Sequence, residues 1–317
     1  MIQLEKAIEK TLYDCLRIRA KESVLILVDE FNREIGQRFL KKALSKKTDA
    51  ALLEIGNINN RNPEPSPTIQ KIAKQVSAVI VLTGFPLLHA KFKNSVCHNG
   101  GRILFLNDFS DESFLRTINT NFETVENKSR RFADLFSISK EIQLTTQAGT
   151  DLTFRIARHK GAVHSFKVKE PGSFSFLPAG EASVTPDSGT SQGIIVVDGS
   201  IPFIGKIENP IEIHVKDGSG YKLTGKEEAE KLRKILKPFG KPSRNIAEFG
   251  IGTNPNAILT GESIEDEKVL GTAHIALGNP NFEGGSLKNY LHLDLILKKP
   301  TVKMDGHLIL ENGKMVV

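Results

Sequence analysis

Four short apolar runs alternate with helical patterns through the first 125 residues, and this alternation constrains the fold more than any other feature. The runs are VLILVDE (24–30), AALLEIG (50–56), SAVIVLTG (77–84) and GRILFLND (101–108). Helical patterns separate them at 31–46, about 67–76 and about 86–98. This order predicts a parallel sheet with helices on both faces. No GxGxxG pattern follows the first run, so a dinucleotide site is not indicated.

The pattern changes near residue 140, where period-two alternation and turn residues become frequent. The segment EIQLTTQAGTDLTFRIA alternates around AGTD and predicts a β-hairpin. One helical pattern, at 225–240, interrupts the later strands and ends at a glycine. We therefore expect an α/β fold with two domains. The first, 1–135, carries the parallel sheet, and the second, 136–317, is a β-rich α+β catalytic domain that carries a metal site.

Composition narrows the class of protein and the partners to expect. The chain has 317 residues, of which 39% are hydrophobic and 25% charged, as in soluble globular proteins. The charged N-terminal segment predicts an amphipathic helix rather than a signal peptide, and no apolar run approaches the length of a membrane span. Two cysteines give no disulfide framework, which favours the cytoplasm. The net charge of +6 is dispersed among acids, so neither a nucleic acid nor a membrane is expected as a partner.

The pair His292 and Asp294 in LHLDLIL is the strongest local indication of chemistry. In a strand, residues i and i+2 leave the same face, so an imidazole and a carboxylate would project together. Oxygen and nitrogen ligands of this kind suit a divalent cation. The chain has no zinc-finger or HExxH spacing. A metal site built from residues distant in sequence is therefore the first hypothesis.

Other acidic residues and histidines lie in short, unusual sequence motifs, most of them in the C-terminal half of the chain. Glu248 lies among apolar residues in AEFGIGTN, and a buried glutamate needs a partner. His274 in GTAHIALG is either a ligand or a hydrogen-bonded core histidine. His89 follows a predicted strand end, where open α/β sheets tend to place ligand sites. The further candidates are Glu181 in LPAGEASVTP and Glu267 in EDEKVLGTAH, whereas His159, His164, His214 and His307 are expected at the surface.

These phrases resemble, in the same order, those of the thermophilic aminopeptidase family, peptidase family M29, in its shorter bacterial and archaeal branch. LPAGEASVTP is similar to the family's LPxGEVFTAP, AEFGIGTN to its GELGLGxN, and DEKVLGTAHIALG to its DENAxxHIALG. HLDLIL is similar to its His-x-Asp strand. The resemblance spans most of the chain and is densest from residue 149 onward.

The resemblance implies a co-catalytic site and a homodimer. Its metal ligands would be Glu181, Glu248, His274, His292 and Asp294, holding one or two ions of zinc, cobalt or manganese. Glu267 would match the family's general base, although DEKVLGTAH is two residues longer than the family motif. The family tyrosine is replaced, because Asn281 and Phe282 stand at that point in GNPNFEGG.

The leading hypothesis is a metal-dependent, aminopeptidase-like hydrolase that acts on a small peptide or another small molecule. The alternative is a mononuclear iron dioxygenase that opens the ring of a dihydroxypyridine, since such enzymes look like relatives of the same family. His274, His292 and Asp294 would then form the facial triad of non-haem Fe(II). In that case Glu181 and Glu248 would contact the ligands or the substrate, and His89 would be the acid or base. A third, non-catalytic interpretation is a β-rich core that binds a partner through basic helices.

Overall fold

The computed structural model describes residues 2–56, 64–84, 87, 91–106, 110–279 and 291–316. Its described residues form two compact units. The first takes in 2–122 and 166–179, and the second takes in 123–165, 180–279 and 291–316. Among the described residues, the first unit therefore combines the N-terminal part of the chain with the later stretch 166–179.

A five-stranded parallel sheet forms the centre of the first unit, with strand order β2-β1-β3-β4-β8. The strands are β1 (Ser23–Val28), β2 (Asp49–Glu54), β3 (Ala78–Leu82), β4 (Arg102–Leu106) and β8 (Phe174–Leu177). The predicted parallel βα sheet is confirmed. Strands β3 and β4 are buried along their whole length, which is why they are uninterrupted apolar runs in the sequence. The late strand β8 was not predicted as a member of this sheet.

Helices alternate with these strands, as the sequence predicted. They are α1 (Ile2–Lys10), extended by a π-helical turn at Thr11–Cys15, α2 (Arg33–Ser45), α3 (Pro67–Ala73), α4 (Lys91–His98) and α5 (Asp111–Ile118). Ser66 accepts a hydrogen bond from the backbone N–H of Ile69 at the start of α3, and Ser110 accepts one from Ser113 at the start of α5. Serine in these positions satisfies an N–H group that the helix leaves without a backbone partner.

The second unit contains an eight-stranded antiparallel sheet of order β14-β13-β10-β6-β5-β18-β19-β20. Its strands are β5 (Glu141–Thr145), β6 (Asp151–Arg155), β10 (Gln192–Val197), β13 (Ile211–Lys216), β14 (Ser219–Thr224), β18 (Thr301–Met304), β19 (His307–Glu311) and β20 (Lys314–Met315). The predicted hairpin is confirmed as β5 and β6, which pair from Glu141 with Arg155 to Thr145 with Asp151.

A second antiparallel sheet, of order β17-β16-β15-β9-β7, lies in the same unit. Its strands are β7 (Ala162–His164), β9 (Glu181–Val184), β15 (Ile246–Gly252), β16 (Ala273–Gly278) and β17 (His292–Leu297). The remaining elements are the short pair β11 (Ser200–Ile201) and β12 (Gly205–Lys206), two 3-10 turns (Lys237–Phe239 and Lys241–Arg244), and the helices α6 (Phe122–Ile138), α7 (Glu227–Leu236) and α8 (Ser263–Asp266).

One face of this second sheet supplies much of the hydrophobic core. Phe249 and Ile251 of β15 and Ile275 of β16 are fully buried there, and Phe249 contacts the rings of Phe136 and Phe154. Because side chains alternate along a strand, the neighbours of these residues leave the opposite face. That opposite face carries the polar residues described below.

None of the described helices has both the length and the apolar character that crossing a membrane requires.

Candidate metal centre

All five residues predicted as metal ligands project from one face of the second antiparallel sheet. They come from four strands: Glu181 from β9, Glu248 from β15, His274 from β16, and His292 and Asp294 from β17. The strand register brings them together, since Gly250 pairs with His274, Gly252 pairs with Glu181, and Ala276 pairs with both Glu248 and Asp294. Residues far apart in the sequence thus form one polar cluster.

Glycine at position 250 makes room for the His274 ring. A Cβ atom placed on Gly250 would lie 2.2 Å from Nε2 and 2.3 Å from Cε1 of His274. Real side chains do not approach this closely, so the imidazole lies directly over the Gly250 backbone. Gly250, within strand β15, therefore leaves space for an imidazole on the adjacent strand.

The distances between the polar atoms are those of ligands that share an ion. Nε2 of His274 lies 3.7 Å from Oε2 of Glu181 and 3.7 Å from Oε1 of Glu248. Nε2 of His292 lies 3.4 Å from Oδ1 of Asp294. Glu248, His292 and Asp294 each offer one atom, and the three atoms lie within 4.8 Å of one another. Two ligands that are each about 2.1 Å from a metal are separated by about 3 to 4 Å.

Several of these atoms are buried without a hydrogen-bond partner among the described residues. They are Oε2 of Glu181, both ring nitrogens of His274, and Oδ1 of Asp294. A buried polar atom with no partner costs free energy, and such atoms are rare in folded proteins. Their concentration at one point, with nitrogen and oxygen chemistry, fits a divalent metal ion.

His292 is oriented for metal binding by the backbone. Its Nδ1–H donates to the carbonyl of Asn279 at 3.1 Å, because that oxygen can only accept, and Nε2 is left to face Asp294. This is the usual arrangement of a metal-ligating histidine. Burial lowers the pKa of His292, but the carboxylates of Asp294 and Glu248 and the Asn279 carbonyl raise it to about 9.

The carboxylates and imidazoles of the cluster shift each other's proton affinity. Burial alone would raise the pKa of Asp294, yet His292 and His274 hold it well below its usual range. Burial alone would lower the pKa of His274, yet Glu248, Glu181 and Asp294 raise it. The carboxylates therefore favour positive charge on His274, and the imidazoles favour negative charge on Asp294.

Lys268 was not identified from the sequence, although it bridges two of the acidic residues, Glu181 and Glu267. Its side chain is 0% exposed, and Nζ lies 2.8 Å from Oε1 of Glu181 and donates to Oε1 of Glu267. Burial lowers the pKa of Lys268, but the two carboxylates outweigh that effect and raise it, so the side chain is an ammonium. A lysine directly after Glu267 and before an apolar VLG was the only sequence signal for it.

Glu267, predicted as the general base, lies beside the cluster at the C-terminus of α8. Burial raises the pKa of its carboxyl well above the usual range. The ammonium of Lys268 lowers this pKa, but the negative charges of Glu181 and Asp294 raise it further. The geometry therefore places Glu267 next to the candidate ligands but directs one of its oxygens to an ammonium.

His164 was expected at the surface, and this prediction was wrong. Its side chain is 24% exposed, and Nε2 lies 3.7 Å from Oε1 of Glu181 and 3.5 Å from Oγ of Ser183. The edge strand β7 pairs with β9, which puts His164 opposite Glu181. Burial lowers the pKa of His164. Three residues of strand in a turn-rich region gave no clear pattern from which this position could be predicted.

Two of the predictions concern positions outside the described residues. These are His89, the predicted acid or base, and the pair Asn281 and Phe282, which replaces the family tyrosine.

Comparison with protein families gives a match over nearly the whole chain. The family model described as NicX, 2,5-dihydroxypyridine 5,6-dioxygenase, matches residues 3–317. A curated relative from Pseudomonas putida KT2440, 2,5-dihydroxypyridine 5,6-dioxygenase, is 26% identical over 255 residues, which cover 76% of this chain and 71% of the relative.

Two solved structures share the fold. The structure of 2,5-dihydroxypyridine dioxygenase from Pseudomonas putida KT2440 has a TM-score of 0.88 at 21% identity, covering 100% of this chain and 97% of that one. Wild-type AmpT from Thermus thermophilus has a TM-score of 0.70 at 15% identity, covering 100% of this chain and 99% of that one. The predicted likeness to the thermophilic aminopeptidases thus holds for the fold.

The prediction of an aminopeptidase-like hydrolase was wrong. Both the family model and the curated relative are dioxygenases, which are oxidoreductases and not hydrolases or proteases. The error has a physical origin, because a set of carboxylates and imidazoles binds a divalent ion without specifying the reaction that the ion supports. The dioxygenase alternative is the better supported of the two.

Proposed function

Because the chain belongs to the 2,5-dihydroxypyridine 5,6-dioxygenase family, we propose that it is a non-haem iron dioxygenase that opens the ring of a dihydroxypyridine. The observation that carries the proposal is this family match over residues 3–317 together with the buried, converging ligand atoms of the sheet. The substrate is a small aromatic molecule. The metal is Fe(II).

His274, His292 and Asp294 are the proposed ligands, because two imidazoles and one carboxylate are the set expected for non-haem Fe(II). A ferrous ion held there would supply the redox chemistry towards dioxygen that no amino-acid side chain provides. Glu248 reaches the same cluster, with Oε1 at 3.7 Å from Nε2 of His274. It is suited to orient the ligands or to accept a hydrogen bond from a substrate hydroxyl.

The chain itself provides the setting for the reaction. The apolar face of the sheet, with Phe249 and Ile275, closes the site off from water on one side. Burial lowers the pKa of His164 and so favours its neutral imidazole, which is the form that can accept a proton from a ring hydroxyl. His89 stays a second candidate for the acid or base.

Anaerobically purified protein loaded with Fe(II) is the material for the test. We expect O2 consumption when 2,5-dihydroxypyridine is added, with loss of the ring absorbance at the same rate. The variant Asp294→Asn should lose this activity with the fold intact by circular dichroism. His307→Ala is a matched control, since His307 is an exposed residue of the hairpin strand β19.

Fe(II)-loaded protein that consumes no O2 with 2,5-dihydroxypyridine or its dihydroxy isomers would reject the proposal. Activity that survives unchanged in Asp294→Asn would instead reject the ligand assignment. Chain association is a separate matter, and we retain the homodimer as a prediction for light scattering to test. The cytoplasmic location and the domain boundary at 135/136 also remain predictions.

A further inference from the structure

The buried ammonium of Lys268 is a fixed cation within the acidic cluster. Nζ lies 2.8 Å from Oε1 of Glu181 and also donates to Oε1 of Glu267. A lysine with 0% exposure is tolerated only when carboxylates compensate its charge. Carboxylate oxygens that converge on one buried point are also the ligands that a divalent cation binds.

The backbone holds Lys268 in this position through the strand beside it. A Cβ atom on Gly252 would lie 2.1 Å from the carbonyl oxygen of Val269 and 2.8 Å from the carbonyl carbon of Lys268. Gly252 pairs with Glu181 in the sheet, and the Asn254 N–H donates to the Lys268 carbonyl at 2.9 Å. The absence of a side chain at Gly252 therefore lets the Lys268 segment approach the strand that faces Glu181.

Glu181 lies between this ammonium and the proposed ligands. Its Oε1 is bound to Lys268, whereas Oε2 is 3.7 Å from Nε2 of His274 and is one of the buried atoms without a partner among the described residues. The cluster thus has two places for positive charge, and Glu181 contacts Lys268 with one oxygen while its other oxygen faces His274. Lys268 fills one place, and the atoms of Glu248, His292 and Asp294 converge on the other.

We propose that the Lys268 ammonium stands where a second metal ion would otherwise bind, and that it limits the centre to one divalent ion per chain. The inference rests on the proposed metal centre. Pairs of catalytic ions are held about 3.5 to 4 Å apart by shared carboxylates. Lys268 occupies one such position. Its ammonium is covalently attached to the chain and cannot leave as a metal ion can, so Glu181 is kept beside a single ion.

The test is the number of Mn2+ ions bound per chain, measured by equilibrium dialysis with elemental analysis, together with electron paramagnetic resonance. Wild type should bind one Mn2+ and give the spectrum of an isolated ion. Lys268→Met removes the charge while keeping an unbranched side chain, and it should bind two Mn2+ ions with a spin-coupled spectrum. Lys268→Arg keeps the charge and should bind one. Lys93→Met is the matched control, because Lys93 is another buried lysine, and it should also bind one.

The outcomes distinguish the role of Lys268 from the existence of the metal centre. One bound ion in both wild type and Lys268→Met overturns the role of Lys268 but leaves the metal centre in place. Two bound ions in wild type also overturn the role of Lys268. No ion in wild type rejects the metal centre of the proposed function. If Lys268→Met folds only when Mn2+ is added, the ion has replaced the ammonium and the proposal stands. A variant that remains unfolded at saturating Mn2+ counts against it.

Discussion

The charges of single residues explain why this site favours cations. Two carboxylates, those of Glu181 and Glu267, contact one buried ammonium, Lys268, whereas Glu248 and Asp294 face the imidazoles of His274 and His292. Burying unpaired charge is costly, so the protein compensates it by binding cations or by taking up protons. The pKa values of His292 and His274 are raised because the protonated imidazoles compensate the negative charge of the carboxylates.

Metal binding should therefore depend on pH through His292. An imidazole must be neutral to bind a metal, and the pKa of His292 in the metal-free protein is about 9. We expect the affinity for Mn2+ to rise steadily between pH 6.5 and pH 9 and to level off above that, as calorimetric titration would show. An affinity that is flat across this interval would mean that His292 does not exchange a proton for the ion.

The same shift predicts the stability of the metal-free protein. The folded-state pKa of His292 is raised above the usual value, so its stabilising contribution is fully present below about pH 6.5 and is lost as pH rises through 9. Denaturant unfolding of metal-free wild type and His292→Ala should therefore differ most in mild acid and converge above pH 9. His307→Ala serves as the control and should show no such convergence.

At the scale of elements, the strand register determines which residues can meet. His292 and Asp294 could be predicted to share a face from their spacing alone, and the five residues predicted as metal ligands from the sequence came from motifs on strands. Lys268 and His164 could not be predicted, because one follows a four-residue helix and the other lies on a three-residue edge strand. Neither short segment carries a periodic pattern, and both contacts depend on long-range pairing.

Gly250 offers a test of the sheet as a rigid support for the ligands. Gly250→Ala should move the His274 ring, since the new Cβ would lie 2.2 Å from Nε2. We expect the affinity for Mn2+ to fall by about 10- to 100-fold, the usual cost of displacing a residue that orients a metal site. Circular dichroism should be unchanged. Gly56→Ala is the control, because a Cβ there meets nothing within 4 Å; equal losses in both variants would refute the explanation.

At the scale of the whole molecule, the proposed metal should couple to folding. An ion that binds only the folded chain stabilises it by about 2.7 kcal/mol when its free concentration is 100 times Kd. Thermal unfolding of Mn2+-loaded protein should occur several degrees above that of protein treated with EDTA, and His292→Ala should show little difference between the two conditions. An EDTA-insensitive wild type would indicate that the unpartnered atoms of the cluster are satisfied in another way.

The sequence predicted the individual strands and the β5–β6 hairpin better than it predicted which distant strands pair. The apolar runs of β1, β3 and β4 are long enough to be recognised, and the hairpin of β5 and β6 has a clear turn. Strand β8 has four residues, and its burial alternates between exposed and buried positions. Its partner β4 lies in a distant part of the sequence, and no local signal records such a pairing.

The late return of β8 to the first sheet has a consequence for synthesis on the ribosome. Strand β4 ends at Leu106, and the partner for its outer edge begins only at Phe174, about 70 residues later. At a translation rate of about 5 to 20 residues per second, β4 emerges about 4 to 14 seconds before that partner. During this interval the nascent chain presents an unpaired, apolar strand edge, which is a template for association with other chains. Nascent-chain protection by chaperones therefore matters most for this protein between the completion of β4 and the arrival of β8.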